Sequence, residues 1–109
     1  MKTKKQTRMR RYASIRSKIR GTANRPRLHV FKSNTRLYVQ LIDDDKKVTI
    51  VSLFMQGKNV EVAKKLGLAI AEKAKAAKVT TVVFDRAGFR YHGAVKMIAD
   101  GAREGGLVL

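Results

Sequence analysis

The sequence predicts an α/β fold: a three-stranded antiparallel meander plus a parallel fourth strand, in spatial order 3-2-1-4, with two packed helices. Three observations predict it. Short β-branched and aromatic runs follow one another between residues 28 and 53, parted only by turn residues. An amphipathic period of 3.6 residues takes over at Val60. A further β-branched run, residues 81–84, then precedes a second helical pattern. A helix between the third and fourth strands makes a right-handed crossover, so these two strands run parallel. The first and third strands of a meander are also parallel, so the fourth pairs beside the first.

Length and charge bound the class. The 109 residues suit one domain with one modest core. The formal net charge is +17, from 25 Lys+Arg against 8 Asp+Glu. Such an excess opposes compaction and points to a polyanionic partner, nucleic acid before an anionic membrane. There is no cysteine, which excludes disulfides and thiolate metal sites. No apolar run approaches the ~20 residues of a membrane span. The basic N-terminus lacks the apolar stretch of a secretory signal. An Arg-rich transit peptide stays open, but the expectation is a soluble, cytoplasmic protein.

Residues 1–26 read as a basic N-terminal arm, partly helical, and residues 27–109 as a single globular RNA-binding domain. Residues 1–27 hold eleven of the 25 basic residues and no acid. That leaves fourteen basic against eight acidic residues, a balance of +6, so the charge is polarised into the arm. Thr7 is a candidate N-cap; Tyr12, Ile15 and Ile19 share one helical stripe, and Gly21 ends it. The stripe is narrow and the repulsion high, so this helix needs a polyanion or the domain to support it.

Arg25-Pro26 forces an extended entry into the first strand. Leu28-His29-Val30-Phe31 alternates poorly, as a strand covered on both faces does. Ser33-Asn34-Thr35 is a turn. Leu37, Val39 and Leu41 alternate with Tyr38, Gln40 and Ile42 in the second strand. Asp43-Asp44-Asp45-Lys46-Lys47 is a hairpin turn; it lacks the glycine and distal glutamate of a calcium loop. The third strand covers residues 48–53. A helix over 60–76 buries Ala63, Leu66 or Gly67, Ile70, Ala71 and Ala74, small enough to lie close on the sheet. The last helix, about 93–103, buries Val95, Ile98 and Ala102, and the apolar tail Leu107-Val108-Leu109 packs back on the domain.

The stretch after the fourth strand concentrates the chemistry. Arg86, Arg90, Tyr91 and His92 crowd the carboxyl end of a strand, where open α/β sheets place ligands. The strand order resembles half of a ribonuclease-H-like sheet, whose enzymes gather carboxylates around two metal ions. Asp85 and Asp43 end two strands, but the first strand offers no carboxylate. His29 and His92 have no serine–acid partners in motif spacing, and no phosphate-binding P-loop is present. The expectation is therefore no enzyme, no metal and no cofactor. Arg86 and Arg90 suit bidentate phosphate contacts. Tyr91 and His92 suit base stacking or a ribose hydroxyl, which favours RNA. Phe89 is expected inside and Tyr91 outside; His92 is a base contact or a helix cap; Asp85 is a salt-bridge partner for Arg86.

Several motifs, in order, resemble the bacterial family of large-subunit ribosomal protein eighteen. They are Gly21-Thr22-Ala23-Asn24-Arg25-Pro26-Arg27-Leu28, Val30-Phe31-Lys32-Ser33-Asn34 and Tyr38-Val39-Gln40-Leu41-Ile42-Asp43. Val83-Phe84-Asp85-Arg86, Gly88-Phe89, Tyr91-His92-Gly93 and Ala99-Asp100-Gly101-Ala102-Arg103-Glu104-Gly105-Gly106-Leu107 continue them. The resemblance implies a protein of the central protuberance that binds 5S ribosomal RNA and helps attach it to 23S RNA, beside neighbouring 5S-binding proteins. It implies no membrane and no small-molecule substrate; a general RNA binder without 5S specificity is the alternative. The RNA-binding candidates are Lys4, Lys5, Arg8, Arg10, Arg11, Tyr12, Arg16, Lys18, Arg20, Arg25 and Arg27 of the arm, then Lys32, Ser33 and Asn34, then Arg86, Arg90, Tyr91, His92, Gly93 and Lys96. The family's usual Arg after Gly93 is Ala94 here, and Leu53-Phe54-Met55 stands where small polar residues are usual.

Overall fold

A computed structural model describes residues 6, 7, 9, 10, 13, 19–89 and 91–109. Its elements are β1 (Arg27–Lys32), β2 (Arg36–Asp43), β3 (Val48–Gln56), α1 (Val60–Ala76), β4 (Val83–Asp85) and α2 (Ala94–Glu104). The strands form one sheet in the order β3-β2-β1-β4. β1 and β2 are antiparallel, β2 and β3 are antiparallel, and β4 is parallel to β1. This is the order that the crossover rule requires.

The core lies between one sheet face and the two helices. Leu28 and Val30 of β1, and Leu37, Val39 and Leu41 of β2, are fully buried. They meet Ala63, Leu66, Ile70, Ala71 and Ala74 of α1, and Ile98 and Ala102 of α2. Alternation in β2 is complete, because every second residue faces this core. α1 starts at an extended Asn59, whose Oδ1 accepts the Val62 amide at 2.9 Å. Asn59→Ala is expected to cost about 1 kcal/mol of stability, the usual worth of an N-cap, read as a lowered urea midpoint.

Helix α1 meets α2 backbone to backbone. A Cβ at Gly67 would lie 2.3 Å from the Ile98 carbonyl oxygen, and one at Gly101 would lie 2.6 Å from that of Lys64. The small residue at 67 thus admits the second helix rather than the sheet.

α1 and α2 pack on one face of β1, and half-buried His29 and Phe31 lie on its other face. Four expectations need correction. β3 runs on to Gln56, because Leu53 and Met55 keep packing on the core while Phe54 between them points out. β4 begins at Val83, since Thr81 bridges Val108 instead. Val82 N–H donates to the Val108 carbonyl, and Val108 N–H to that of Thr80, so the apolar tail extends the edge of the sheet. Gly21 is no helix end: a Cβ there would meet the Ile42 carbonyl oxygen at 2.4 Å and the Arg27 nitrogen at 2.5 Å. Of the expected arm helix, Gln6, Thr7, Met9, Arg10 and Ala13 are helical, so Thr7 lies within a turn rather than capping one. Tyr12 and Ile15 lie outside the described residues.

Candidate nucleic-acid interface

The sheet face away from α1 and α2 carries a row of rings. Register sets His29 opposite Gln40, Phe31 opposite Tyr38, Tyr38 opposite Phe54, and Gln40 opposite Ser52. Registered partners share a face, and this face is opposite the one that buries Leu28 and Val30. Ring centroids lie 5.8 Å apart for Phe54–Tyr38, 6.1 Å for Tyr38–Phe31 and 5.8 Å for Phe31–Phe89. The row therefore crosses β3, β2 and β1 and ends on the loop after β4. Tilted and edge-on contacts at these distances hold the rings in place.

Cations stand at both ends of the row. The Arg36 guanidinium sits 4.9 Å from the Phe54 centroid, and its Nε donates to Gln56 Oε1 at 2.9 Å. Lys32 Nζ sits 5.7 Å from the Phe89 centroid. Between them a hollow of about 300 Å³ is lined by His29, Phe31, Ser33, Tyr38 and Gln40. Flat aromatic walls with cations on the rim suit a planar anionic polymer: bases stack, and phosphates meet the rim. Ser33 also builds the β1–β2 turn, its Oγ accepting the Arg36 amide at 3.1 Å, and Asn34 is exposed at the tip.

The loop after β4 forms the second patch. Phe89 N–H donates to the Arg86 carbonyl, closing a turn through Ala87 and Gly88, both at positive φ. Phe89 is half-buried in the ring row, and Tyr91 is 39% exposed. Tyr91 is nevertheless held: its ring stands edge-on 5.9 Å from Phe84, and its hydroxyl accepts from Arg103 Nη1 at 2.9 Å. His92 is exposed and is not the helix cap. Gly93 takes that place at φ 57°, with no side-chain capping bond and no acid in the first turn of α2. The amides of this helix start, beside exposed Lys96 and half-buried Arg86, therefore favour an anion. Ala94 packs against the core.

Asp85 does not hold Arg86; it holds Arg27. Parallel register sets Arg27 beside Val83, so the fully buried carboxylate two residues on faces the guanidinium. Arg27 Nη1 donates to Asp85 Oδ2 at 2.6 Å, while Nε and Nη2 donate to Asp44 at 3.1 and 3.2 Å. Burial opposes the Arg27 charge, but the hydrogen bonds and charges of Asp44 and Asp85 outweigh it and raise its pKa. The stability from this shift is complete below the ordinary guanidinium value and is lost only as pH climbs through the raised one. At 7% exposure Arg27 faces carboxylates inside the fold, unlike the exposed Arg10, Arg20 and Arg25. Asp43 behaves as a hairpin residue, its Oδ1 accepting the Asp45 and Lys46 amides. Among the described residues no three potential metal ligands gather.

The family model described as ribosomal L18 of archaea, bacteria, mitochondria and chloroplast matches residues 2–109. The chain belongs to this family. As an L18 protein it is a ribosomal protein of the large subunit. Curated relatives agree along nearly the whole length. The large ribosomal subunit protein uL18 of Lysinibacillus sphaericus is 54% identical over 111 residues, covering 95% of this chain and 93% of that one. Proteins of the same name from Staphylococcus carnosus and Mesoplasma florum are 47% and 50% identical, covering 95% and 96% of this chain, and 93% and 96% of theirs.

Apart from exposed Arg10 and buried Arg27, the described candidate residues of this L18 chain fall into three groups. Lys32, Ser33 and Asn34 lie at one end of the ring row, and Arg86, Tyr91, His92, Gly93 and Lys96 lie on or beside the β4–α2 loop. Arg20 and Arg25 flank Gly21 at the root of the arm, Arg20 paired with Asp45. Lys4, Lys5, Arg8, Arg11, Tyr12, Arg16, Lys18 and Arg90 lie outside the described residues. Sequence reasoning missed Phe31, Arg36, Tyr38 and Phe54. The signal was present: Phe31 with His29, Tyr38 with Gln40 and Phe54 with Ser52 each set a ring two residues from a polar group on one strand face.

Proposed function

We propose that this ribosomal protein is a structural constituent that binds 5S ribosomal RNA and helps attach it to 23S RNA in the central protuberance, beside neighbouring 5S-binding proteins, in the cytoplasm. One observation supports the reading: on the sheet face away from α1 and α2, three strand rings and Phe89 of the next loop form a row with cations at both ends. Bases stack on the rings, and Arg36, Lys32, Arg86 and Lys96 meet phosphates around them. The basic arm, residues 1–26, neutralises further phosphates, and residues 27–109 form the domain that supplies shape. The protein acts by binding alone; no step of the reading requires catalysis, a cofactor or a metal.

A competition assay tests it, using the purified chain, labelled 5S RNA and excess transfer RNA across a salt series. A protein making ~6–10 phosphate contacts loses ~10³–10⁵ in affinity between ~50 and ~200 mM salt, so low-salt binding is uninformative. The expected result is 5S binding that withstands transfer RNA at ~200 mM salt. Equal competition would instead make the chain a general RNA binder driven by its +17 charge.

A further inference from the structure

We propose that Arg27 is a positioning residue that joins the root of the basic arm to the β4–α2 loop, so that both engage one RNA as a coupled pair. The proposal rests on the RNA-binding reading above. Five residues form a continuous chain of contacts. Gly21 N–H donates to Asp44 Oδ2 at 2.6 Å, and Asp44 N–H returns a bond to the Gly21 carbonyl at 3.0 Å. Asp44 takes two donors of Arg27, and Arg27 reaches on to Asp85. Asp85 Oδ1 then accepts the Ala87 amide at 3.0 Å, holding a residue at φ 52°, where an alanine does not rest by preference. Gly21 follows the basic stretch in sequence, and Ala87 is the first turn residue of the loop patch.

Such a network adds little stability over an apolar replacement, because desolvating three charges offsets their attraction. What it supplies is fixed geometry: a forked guanidinium meets two carboxylates in one arrangement only. Exposed Arg25 lies on the arm side of the chain, and Arg86 and Lys96 on the loop side. RNA bound at one end then finds the other end already in place, and the ordering cost of the second contact falls.

A double-mutant cycle on 5S RNA binding tests this with the full chain. Arg25→Ala, Arg86→Ala and the pair are measured in the parent and again with Asp44→Ala. That change removes the side-chain acceptor shared by the Gly21 amide and Arg27, keeps the backbone bond from residue 44 to the Gly21 carbonyl, and leaves the Arg27–Asp85 pair within the fold. The parent should show an arm–loop coupling of about fivefold or more. With Asp44→Ala the two losses should simply multiply. Amide exchange at Ala87 should also rise, although its own acceptor is untouched, while Val30 and Val39 in the β1–β2 ladder keep the parent rate. If Asp44→Ala does not fold, Arg27→Lys replaces it, keeping the charge and losing the fork. Coupling that persists in the second background, or is absent in the parent, overturns the latch alone, provided 5S RNA still outcompetes transfer RNA. If the parent shows no such preference, the RNA reading fails and the latch falls with it.

Discussion

Asp85→Ala is expected to destabilise the protein by about 3–5 kcal/mol, the usual result of removing one partner from a buried ion pair. Two losses combine. Arg27 stays charged and buried with only Asp44, which is partly open to solvent, left of its two carboxylates. Ala87 loses the acceptor that holds it at positive φ. Asp85→Asn should cost less, because an amide oxygen still receives the Ala87 amide while the charge opposite Arg27 is gone. The double change Arg27→Met with Asp85→Leu should recover much of the deficit, since it removes both charges and fills the space with apolar atoms. Urea unfolding followed by circular dichroism measures all three. A loss under about 1 kcal/mol for Asp85→Ala would mean that Asp44 alone satisfies the guanidinium.

This network also shows where the sequence stopped being readable. Period-2 alternation over residues 37–41 and the 3.6-residue stripe over 60–76 mark their elements without ambiguity, because each has one buried face. Crossover handedness then fixes the sheet order from element types alone. Arg27 could not be read in the same way. Its partners lie 17 and 58 residues away, so nothing local separates it from the phosphate-seeking cations just before it. Leu53-Phe54-Met55 posed the opposite problem. Three consecutive apolar residues hide a strand's period, so the continuation of β3, and with it the exposed ring of Phe54, went unread.

On the proposed reading, Tyr38→Ala combined with Phe54→Ala should weaken 5S RNA binding by about 2–6 kcal/mol, at ~1–3 kcal/mol per stacked ring. The two residues are chosen for their burial. Phe54 is 56% exposed, and Tyr38 is half-buried on the face away from α1 and α2, so neither fills the core between sheet and helices. Their removal should leave the unfolding midpoint close to the parent's, which separates loss of contact from loss of fold. The salt dependence separates stacking from charge. Neither change removes a cation, so the slope of log affinity against log salt should stay as it was while the whole line drops. Arg36→Ala should do the reverse and lower the slope by about one, because it removes one phosphate partner. Tyr38→Phe should keep nearly all the affinity, since stacking needs the ring and not the hydroxyl. If the double alanine variant binds as the parent does, this sheet face is not where RNA lies. The β4–α2 loop and the arm must then supply the whole interface.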